Sequence, residues 1–349
     1  MQLSSDNRRS RYALVAIILL LLACSGNPAE KRAKHMKRGA EYFASQEYDK
    51  AIIEYKNAVQ ADPKFAAAHY QLALAYLKTG HVQEAFAELS KTVELDPENI
   101  DAQLKLGQFY LLARKPEEAR EKADLVLEKE PQNVDGLFLR MALLLQDGKA
   151  DEASRVLEKI TELDPKNIRA YIALARIAGR QQKFSQARDY LEQAVDASPK
   201  NAAARMELAR FYEQRGKLAE AETEIKQAIN LDKNNASLQT ELGNFYLRHG
   251  DLESAKAAYL KAVQMAPDEA GPKMTLGAFY ASQKKWDQAL EWMNKAMELQ
   301  PDNVEIQNAV AGLYLDMGKP EEARKIVEKV LDKDKGNVRG RLLEARLLI

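Results

Sequence analysis

The sequence predicts an all-α fold, a solenoid built from repeated pairs of helices. The composition is typical of helices, with 30% charged and only 7% aromatic residues. A proline recurs at steps of 34 residues, at Pro63, Pro97, Pro131, Pro165, Pro199, Pro267 and Pro301. Lys233 and Lys335 occupy the two places in this series where proline is missing. An alanine recurs at the same step without exception, at Ala51, Ala85, Ala119, Ala153, Ala187, Ala221, Ala255, Ala289 and Ala323. Such a period is the signature of a repeat architecture.

The chain begins with features of an export signal. Arg8, Arg9 and Arg11 precede an uninterrupted apolar run over residues 12–23. A helix that crosses a bilayer needs roughly 20 apolar residues, so this shorter run fits the apolar region of a signal peptide better. We therefore predict that residues 1–23 are a signal peptide.

The end of this run, LLAC at residues 21–24, resembles the lipobox of bacterial lipoproteins. The resemblance implies that the Cys24 thiol receives a diacylglycerol, that the peptide is cut before Cys24, and that the new amino end is often acylated, with palmitate among the acyl chains. Residues 24–31 then form the lipidated cysteine and a short spacer. Two or three acyl chains anchor a protein firmly, whereas one does so only marginally. Ser25 follows in place of aspartate, which by resemblance favours the periplasmic side of the outer membrane. The alternatives are an ordinary signal with a chance cysteine and an uncleaved anchor.

The folded part is predicted to begin with Asn27 as an N-cap and Pro28 as the first helical residue. Each 34-residue unit then reads as two amphipathic helices, A and B. Small residues at position eight and alanine at position twenty let the paired helices approach closely, and the recurrent proline ends helix B. Glycines supply a permissive backbone at the A–B turn, at Gly80, Gly148, Gly216, Gly250 and Gly318.

This pattern resembles the tetratricopeptide repeat. The seventh unit shows it in full, in ELGNFYLRHGDLESAKAAYLKAVQMAP. Nine units cover residues 32–337, and residues 338–349 are the first helix of a tenth, incomplete unit. The resemblance implies a right-handed superhelical solenoid whose A helices line a concave groove, and we predict a single solenoid because stacked neighbours share one core.

The sequence contains no recognisable catalytic or metal site. No pair of its four histidines has metal-ligand spacing, and the Gly-Lys pairs lack the serine or threonine of a phosphate-binding loop. Lysine plus arginine and aspartate plus glutamate both number 52, a balance that argues against nucleic-acid binding. We predict a protein that is not an enzyme and needs no cofactor or metal.

Positions two, five, nine, twelve and thirteen of each unit contact ligands in the resembled family. Carried onto this chain, they predict an apolar stretch of groove at Tyr70, Leu74, Leu77, Leu104, Leu111, Phe138 and Leu145. A basic stretch follows at Arg169, Arg176, Arg180 and Arg210. Later units are more polar. The family's carboxylate clamp uses a lysine at position five and an asparagine at position nine of one unit. Only Asn244 matches the asparagine and no unit has the lysine, so the clamp is missing.

Two interpretations of this groove are open. An exposed apolar patch beside arginines suits a partner with an apolar part and an anionic part. Alternatively, the leucines pack between neighbouring A helices and the arginines pair with nearby carboxylates.

The last unit ends in RLLEARLLI, without the polar outer face that normally ends a solenoid. Either the chain is a fragment of a longer array, or residues 338–349 mediate end-to-end self-association.

The predicted function is a membrane-anchored scaffold that binds other proteins in the bacterial cell envelope and assists a secretion, pilus or exopolysaccharide export system. The chain resembles repeat lipoproteins of the exopolysaccharide/exosortase and type IV pilus systems. The alternative is a groove that binds an anionic polymer such as an acidic exopolysaccharide. An enzyme subunit would require chemistry in a further C-terminal domain.

Overall fold

A computed structural model describes residues 27–348 of the chain. The predicted signal peptide and Cys24 lie outside these residues, so their assignment stays a prediction. The described part contains 19 α-helices and no β-strand, which confirms the all-α fold.

The helices alternate between the A and B positions of the repeats. In chain order they are α1 (Pro28–Ala44), α2 (Tyr48–Ala61), α3 (Ala66–Thr79), α4 (Val82–Leu95), α5 (Ile100–Leu112), α6 (Pro116–Lys129), α7 (Val134–Gln146), α8 (Ala150–Leu163), α9 (Ile168–Arg180), α10 (Phe184–Ala197), α11 (Ala202–Gln214), α12 (Leu218–Leu231), α13 (Ala236–Arg248), α14 (Leu252–Met265), α15 (Ala270–Ser282), α16 (Trp286–Leu299), α17 (Val304–Asp316), α18 (Pro320–Lys333) and α19 (Val338–Leu347).

The chain divides into two compact units, Met1–Pro165 and Lys166–Ile349. Among the described residues the first unit holds α1 to α8, and the second holds α9 to α19. Within each unit every helix packs against the next in sequence. A helices of successive repeats also touch, as α5 touches α7 and α17 touches α19. A single solenoid through all the repeats stays a prediction.

Most A helices begin at an asparagine cap. The predicted cap Asn27 accepts a hydrogen bond from the Ala29 amide at 3.0 Å, with Pro28 as the first helical residue. The same residue type caps seven further A helices, at Asn99, Asn133, Asn167, Asn201, Asn235, Asn303 and Asn337. A side-chain acceptor satisfies an amide that the first helical turn leaves without a partner.

Every A–B turn of the nine complete repeats contains one residue in the left-handed region. Five of these are the predicted glycines, for example Gly250 with φ of 79°. The other four are Gln46, Arg114, Gln182 and Lys284, with φ between 56° and 61°. The backbone of this turn is therefore the same whether or not glycine is present.

The core between paired helices depends on small residues, as the sequence predicts. The recurrent alanine is at most 1% exposed in all nine repeats. At position eight, a Cβ on Gly39 would lie 2.5 Å from Cε1 of Tyr55, and one on Gly243 would lie 2.5 Å from Cε1 of Tyr259. Both tyrosines are only 1% exposed. The glycines therefore make room for rings that fill the A–B interface.

Position four of the A helix carries buried polar donors. Gln103 Nε2 donates to the Pro97 carbonyl at 2.9 Å, and Gln307 Nε2 donates to the Pro301 carbonyl at 2.6 Å. His69 lies between the Pro63 carbonyl, 3.1 Å from Nε2, and a Glu88 carboxylate oxygen, 2.6 Å from Nδ1. The bonds to the proline carbonyls tie α3, α5 and α17 to the loops that precede them.

Candidate binding clefts

The predicted apolar groove residues lie in the first unit, and two of them are buried. Leu104 is 7% exposed and Phe138 is 9% exposed. Leu104 packs in a cluster with Ala119 and Val126. For these two side chains the structure favours packing between helices over direct access to a ligand.

The remaining apolar predictions are partly exposed, at Tyr70, Leu74, Leu77, Leu111 and Leu145. Burial of its ring, together with the nearby charge of Asp101, raises the pKa of Tyr70 to about 12. Leu112, at position thirteen beside Leu111, is 82% exposed and was not predicted. Its position in the repeat was a sufficient signal, since position thirteen belongs to the groove set.

Three of the four predicted arginines border a cleft in the second unit, with a volume of about 470 Å³. We call it the arginine cleft and define it by six residues of α9, α10, α11 and the turn after α11: Arg176, Arg180, Phe184, Arg210, Phe211 and Arg215. Arg169 lies in the first turn of α9 and does not line it.

One carboxylate holds two of these arginines. Glu207 Oε1 accepts from Arg176 Nη2 at 3.2 Å and from Arg210 Nη1 at 3.0 Å. The side chain of Glu207 is 22% exposed, whereas those of Arg176 and Arg210 are 67% and 53% exposed. Pairing with a nearby carboxylate, one of the two interpretations of the groove, therefore occurs at Arg176 and Arg210, yet both guanidinium groups keep further donors that face solvent.

The cleft also has aromatic walls that sequence reasoning missed. The Arg215 guanidinium lies 3.8 Å from the ring centroid of Phe184, in a cation–π contact. Phe211 and Ile172 add apolar surface to the lining. Phe184, Phe211 and Arg215 occupy repeat positions seventeen, ten and fourteen, which lie outside the family's groove set, so only the fold brings them to the arginines.

Asn244 has a partner in its own repeat. Its Oδ1 accepts from the Tyr259 hydroxyl at 2.8 Å, and the residue is partly buried. Nearby, Glu213 accepts from Arg248 Nε at 2.8 Å and lies 2.9 Å from His249 Nε2. The hydrogen bond from Arg248, followed by that from His249, outweighs the effect of burial and holds the pKa of Glu213 below its usual range.

A larger cleft of about 630 Å³ lies further along the second unit, against α15, α17 and α19. We call it the C-terminal cleft and define it by position five of these helices, Met274, Asn308 and Leu342, and by position nine, Ala278, Gly312 and Arg346. Its lining is mostly apolar. The sequence suggested a polar groove here because it offered few large apolar side chains, but the small residues Ala278 and Gly312 leave space in the cleft.

The rim of the C-terminal cleft is charged. Arg346 Nη2 lies 2.7 Å from Asp316 Oδ1, and Glu305 and Arg339 also line the cleft. Asn308 is 3% exposed and donates from Nδ2 to Asn337 Oδ1 at 3.1 Å. The cleft thus offers apolar surface between opposite charges.

The last helix and the residue after it leave apolar side chains exposed. Val338 is 73% exposed, Leu342 is 62% exposed and Leu348 is 79% exposed. Leu343 of the same helix is buried against Ala311 and Val327.

Two kinds of site are not found in residues 27–348. No group of three or more His, Cys, Asp or Glu side chains is arranged to hold a metal ion within this part of the chain. No helix in the same range is long and apolar enough to cross a membrane.

Among known families, the tetratricopeptide repeat protein 21 N-terminal ARM repeat matches residues 38–214, just over half of the chain. The chain belongs to this family. A second match, to the middle TPR-like domain of cilia and flagella-associated protein 70, covers residues 206–333. The prediction of a tetratricopeptide-like repeat protein is therefore confirmed.

Solved structures are similar to this repeat protein in fold. A tetratricopeptide repeat protein from Parabacteroides merdae is 19% identical with a TM-score of 0.56, over 72% of this chain and 99% of that one. Pseudomonas aeruginosa pilF is 21% identical with a TM-score of 0.45, over 62% of this chain and 97% of that one. The APC/C hetero-tetramer Cut9–Hcn1 is 17% identical with a TM-score of 0.41, over 91% of this chain and 76% of that one. No curated protein matches the chain significantly.

Proposed function

We propose that this repeat protein is a scaffold that holds segments of other proteins in the clefts formed by its A helices. The C-terminal cleft carries the proposal, because a concave, mostly apolar surface with a charged rim suits a protein segment. Membership of a helical repeat family agrees with it, since such families are typically non-enzymatic binding scaffolds.

A photo-crosslinking amino acid, incorporated into the protein in living cells, tests this function. We expect the probe at position 278, inside the C-terminal cleft, to yield discrete crosslinked proteins identifiable by mass spectrometry. The control carries the probe at position 253, an exposed residue near the start of α14 outside that cleft. Identical products from both positions, or none from position 278, would argue against the cleft as a binding site.

We further propose that the scaffold is a lipoprotein of the bacterial cell envelope, anchored through Cys24 at the periplasmic side of the outer membrane. Support comes from the sequence alone: the arginines, the short apolar run and the LLAC motif that precede the folded part. In this location it would assist the assembly of a secretion, pilus or exopolysaccharide export system.

Replacing the cysteine tests the anchor separately from binding. In a Cys24→Ala variant, the thiol that would carry the lipid is missing, so we expect loss of processing or release from the membrane fraction. The readout is fractionation with metabolic labelling by a palmitate analogue, and Ser25→Ala serves as the matched control. Unchanged labelling and membrane retention in Cys24→Ala would refute lipidation.

A second candidate function is the binding of an anionic polymer such as an acidic exopolysaccharide, for which the arginines of the arginine cleft supply the positive charge. Arg176 and Arg210 share one carboxylate and retain free donors. A variant with Arg176→Glu and Arg210→Glu should lose retention on an acidic polysaccharide resin while keeping its crosslinked protein partners. Equal retention of the variant and the wild type would exclude this candidate.

Self-association through residues 338–349 is also proposed, on the exposure of Val338, Leu342 and Leu348. Light scattering over a range of concentrations should show a species larger than a monomer, and Leu342→Lys should abolish it. A wild-type protein that stays monomeric at every concentration would contradict this proposal.

A further inference from the structure

We propose that the arginine cleft is a docking site for an acidic peptide segment that inserts one large apolar side chain beside Gly179. This rests on the proposed function of protein binding and assigns a ligand chemistry to one site. The argument depends on the space at Gly179, the aromatic walls and the excess of positive charge.

Gly179 opens the cleft. It occupies position twelve of its repeat, where five of the nine complete repeats carry leucine, at Leu77, Leu111, Leu145, Leu247 and Leu315. A Cβ built on Gly179 would meet no heavy atom within 4 Å, and its backbone is helical. Neither packing nor backbone conformation requires glycine here, although glycine destabilises a helix relative to alanine. What the glycine does provide is an empty volume in the lining of the cleft.

The walls of this volume are apolar. Phe184 and Phe211 line the cleft together with Ile172 and Leu191. The guanidinium of Arg215 covers one face of Phe184 at 3.8 Å, which holds the aromatic ring at the edge of the cleft. An aromatic or long aliphatic side chain placed beside Gly179 would therefore be surrounded by carbon, and its burial would favour binding.

The charge of the cleft selects an acidic partner. Four arginines line it, and Glu207 is the one carboxylate among its lining residues. Arg180 and Arg215 make no ion pair with any residue that the structure describes. Arg176 and Arg210 each use one nitrogen on Glu207 Oε1, so both keep donors for a second carboxylate. Charge complementarity thus points to carboxylates on both sides of the inserted side chain.

An acidic polysaccharide satisfies only part of this arrangement. It supplies carboxylates, but it has no large apolar group to fill the volume beside Gly179. A peptide supplies both on one short segment, so the combination of aromatic walls and arginines favours a peptide.

The test measures fluorescence anisotropy with a short labelled peptide in which one phenylalanine lies between acidic residues. We expect Gly179→Leu to weaken binding by about tenfold or more, because the leucine occupies the volume that the phenylalanine needs. Replacing the peptide's phenylalanine by alanine should weaken binding to the wild type by about tenfold but change binding to Gly179→Leu little, since the two changes remove the same contact.

Gly271→Leu is the matched control. Gly271 also lies in a helix of the second unit, with no heavy atom within 4 Å of an added Cβ, and it does not line the arginine cleft. We expect this variant to bind the peptide as the wild type does. Circular dichroism of both variants shows whether the helices remain formed, which we expect because leucine favours helix over glycine.

Three results would overturn the proposal. The first is unchanged peptide binding by Gly179→Leu. The second is equal binding by the wild type of a peptide with lysines in place of its acidic residues. The third is retention of the wild type on an alginate resin without measurable binding of the peptide. The last result would assign the cleft to an anionic polymer. Position 278 lies outside the arginine cleft. Crosslinking at that position therefore tests the proposed scaffold function whatever the result of the peptide-binding experiment.

Discussion

Glycine has two opposite roles in the A helices of this protein. At Gly243 the ring of Tyr259 occupies the space that a side chain would take. The hydroxyl of Tyr259 donates a hydrogen bond to Asn244. At Gly179 no heavy atom occupies the space that a side chain would take. The first glycine is required by packing, whereas the second leaves an open volume in the arginine cleft.

Alanine substitutions at these two glycines should therefore change stability in opposite directions. Gly243→Ala forces the methyl group against a buried ring and should lower the free energy of unfolding by about 1–3 kcal/mol. Gly179→Ala should raise it by about 0.5–1 kcal/mol, because alanine restricts the unfolded chain and favours helix. Urea denaturation followed by circular dichroism measures both. Destabilisation by Gly179→Ala would show that the space beside it is not open.

At the scale of the element, the A–B turn places a left-handed residue at the same repeat position every time. The five glycines at this position were predicted from the sequence, but Gln46, Arg114, Gln182 and Lys284 have the same backbone conformation. The turn is imposed by the two helices that it connects, since they must pack against each other whatever residue lies between them. A side chain in this conformation crowds its own backbone, which costs roughly 1–2 kcal/mol.

Lys284→Gly should remove this strain. Lys284 has φ of 56°, so we expect the free energy of unfolding to rise by up to about 1 kcal/mol, reduced by the extra freedom of glycine in the unfolded chain. Gly250→Ala is the reciprocal variant, because Gly250 has φ of 79° and open space around it. The free energy of unfolding of Gly250→Ala should fall by about 1 kcal/mol. Thermal denaturation measures the stability of both variants. Effects of the same sign would contradict an explanation based on backbone strain.

Neighbouring elements also explain why the apolar groove was only partly predictable. Position five faces the groove in the family pattern, yet Leu104 and Phe138 are buried. Such burial depends on how closely successive A helices approach, and that distance is set by side chains from several repeats. The spacing of successive A helices also explains why the small residues Ala278 and Gly312 line a large cleft.

At the scale of the whole molecule, the core consists of small clusters, each contributed by neighbouring repeats. In such an array stability is approximately a sum of terms from each repeat and its neighbours. Ile306 is 0% exposed and belongs to the cluster formed by α14, α15, α16 and α17. A cavity there should weaken its own region most.

Ile306→Ala should therefore unfold part of the second unit before the rest. We expect a local cost of about 2–5 kcal/mol, since the alanine leaves a cavity in a packed cluster. Hydrogen exchange should show lost protection in α15 to α19 and retained protection in residues 27–165. A uniform loss of protection over all described helices would show that the chain unfolds as one cooperative body.

The amino-acid pattern determines the helices, their order and the small residues between paired helices, because these follow from local conformational preference and from a period of 34 residues. It also contains the signal-like start and the LLAC motif, which are linear features of the chain. The clefts depend on the tertiary structure. Phe184, Phe211 and Arg215 meet the predicted arginines, two arginines share Glu207, and the space beside Gly179 stays empty. Each of these depends on the spacing and rotation of helices from different repeats, and side chains distant in sequence set that geometry together.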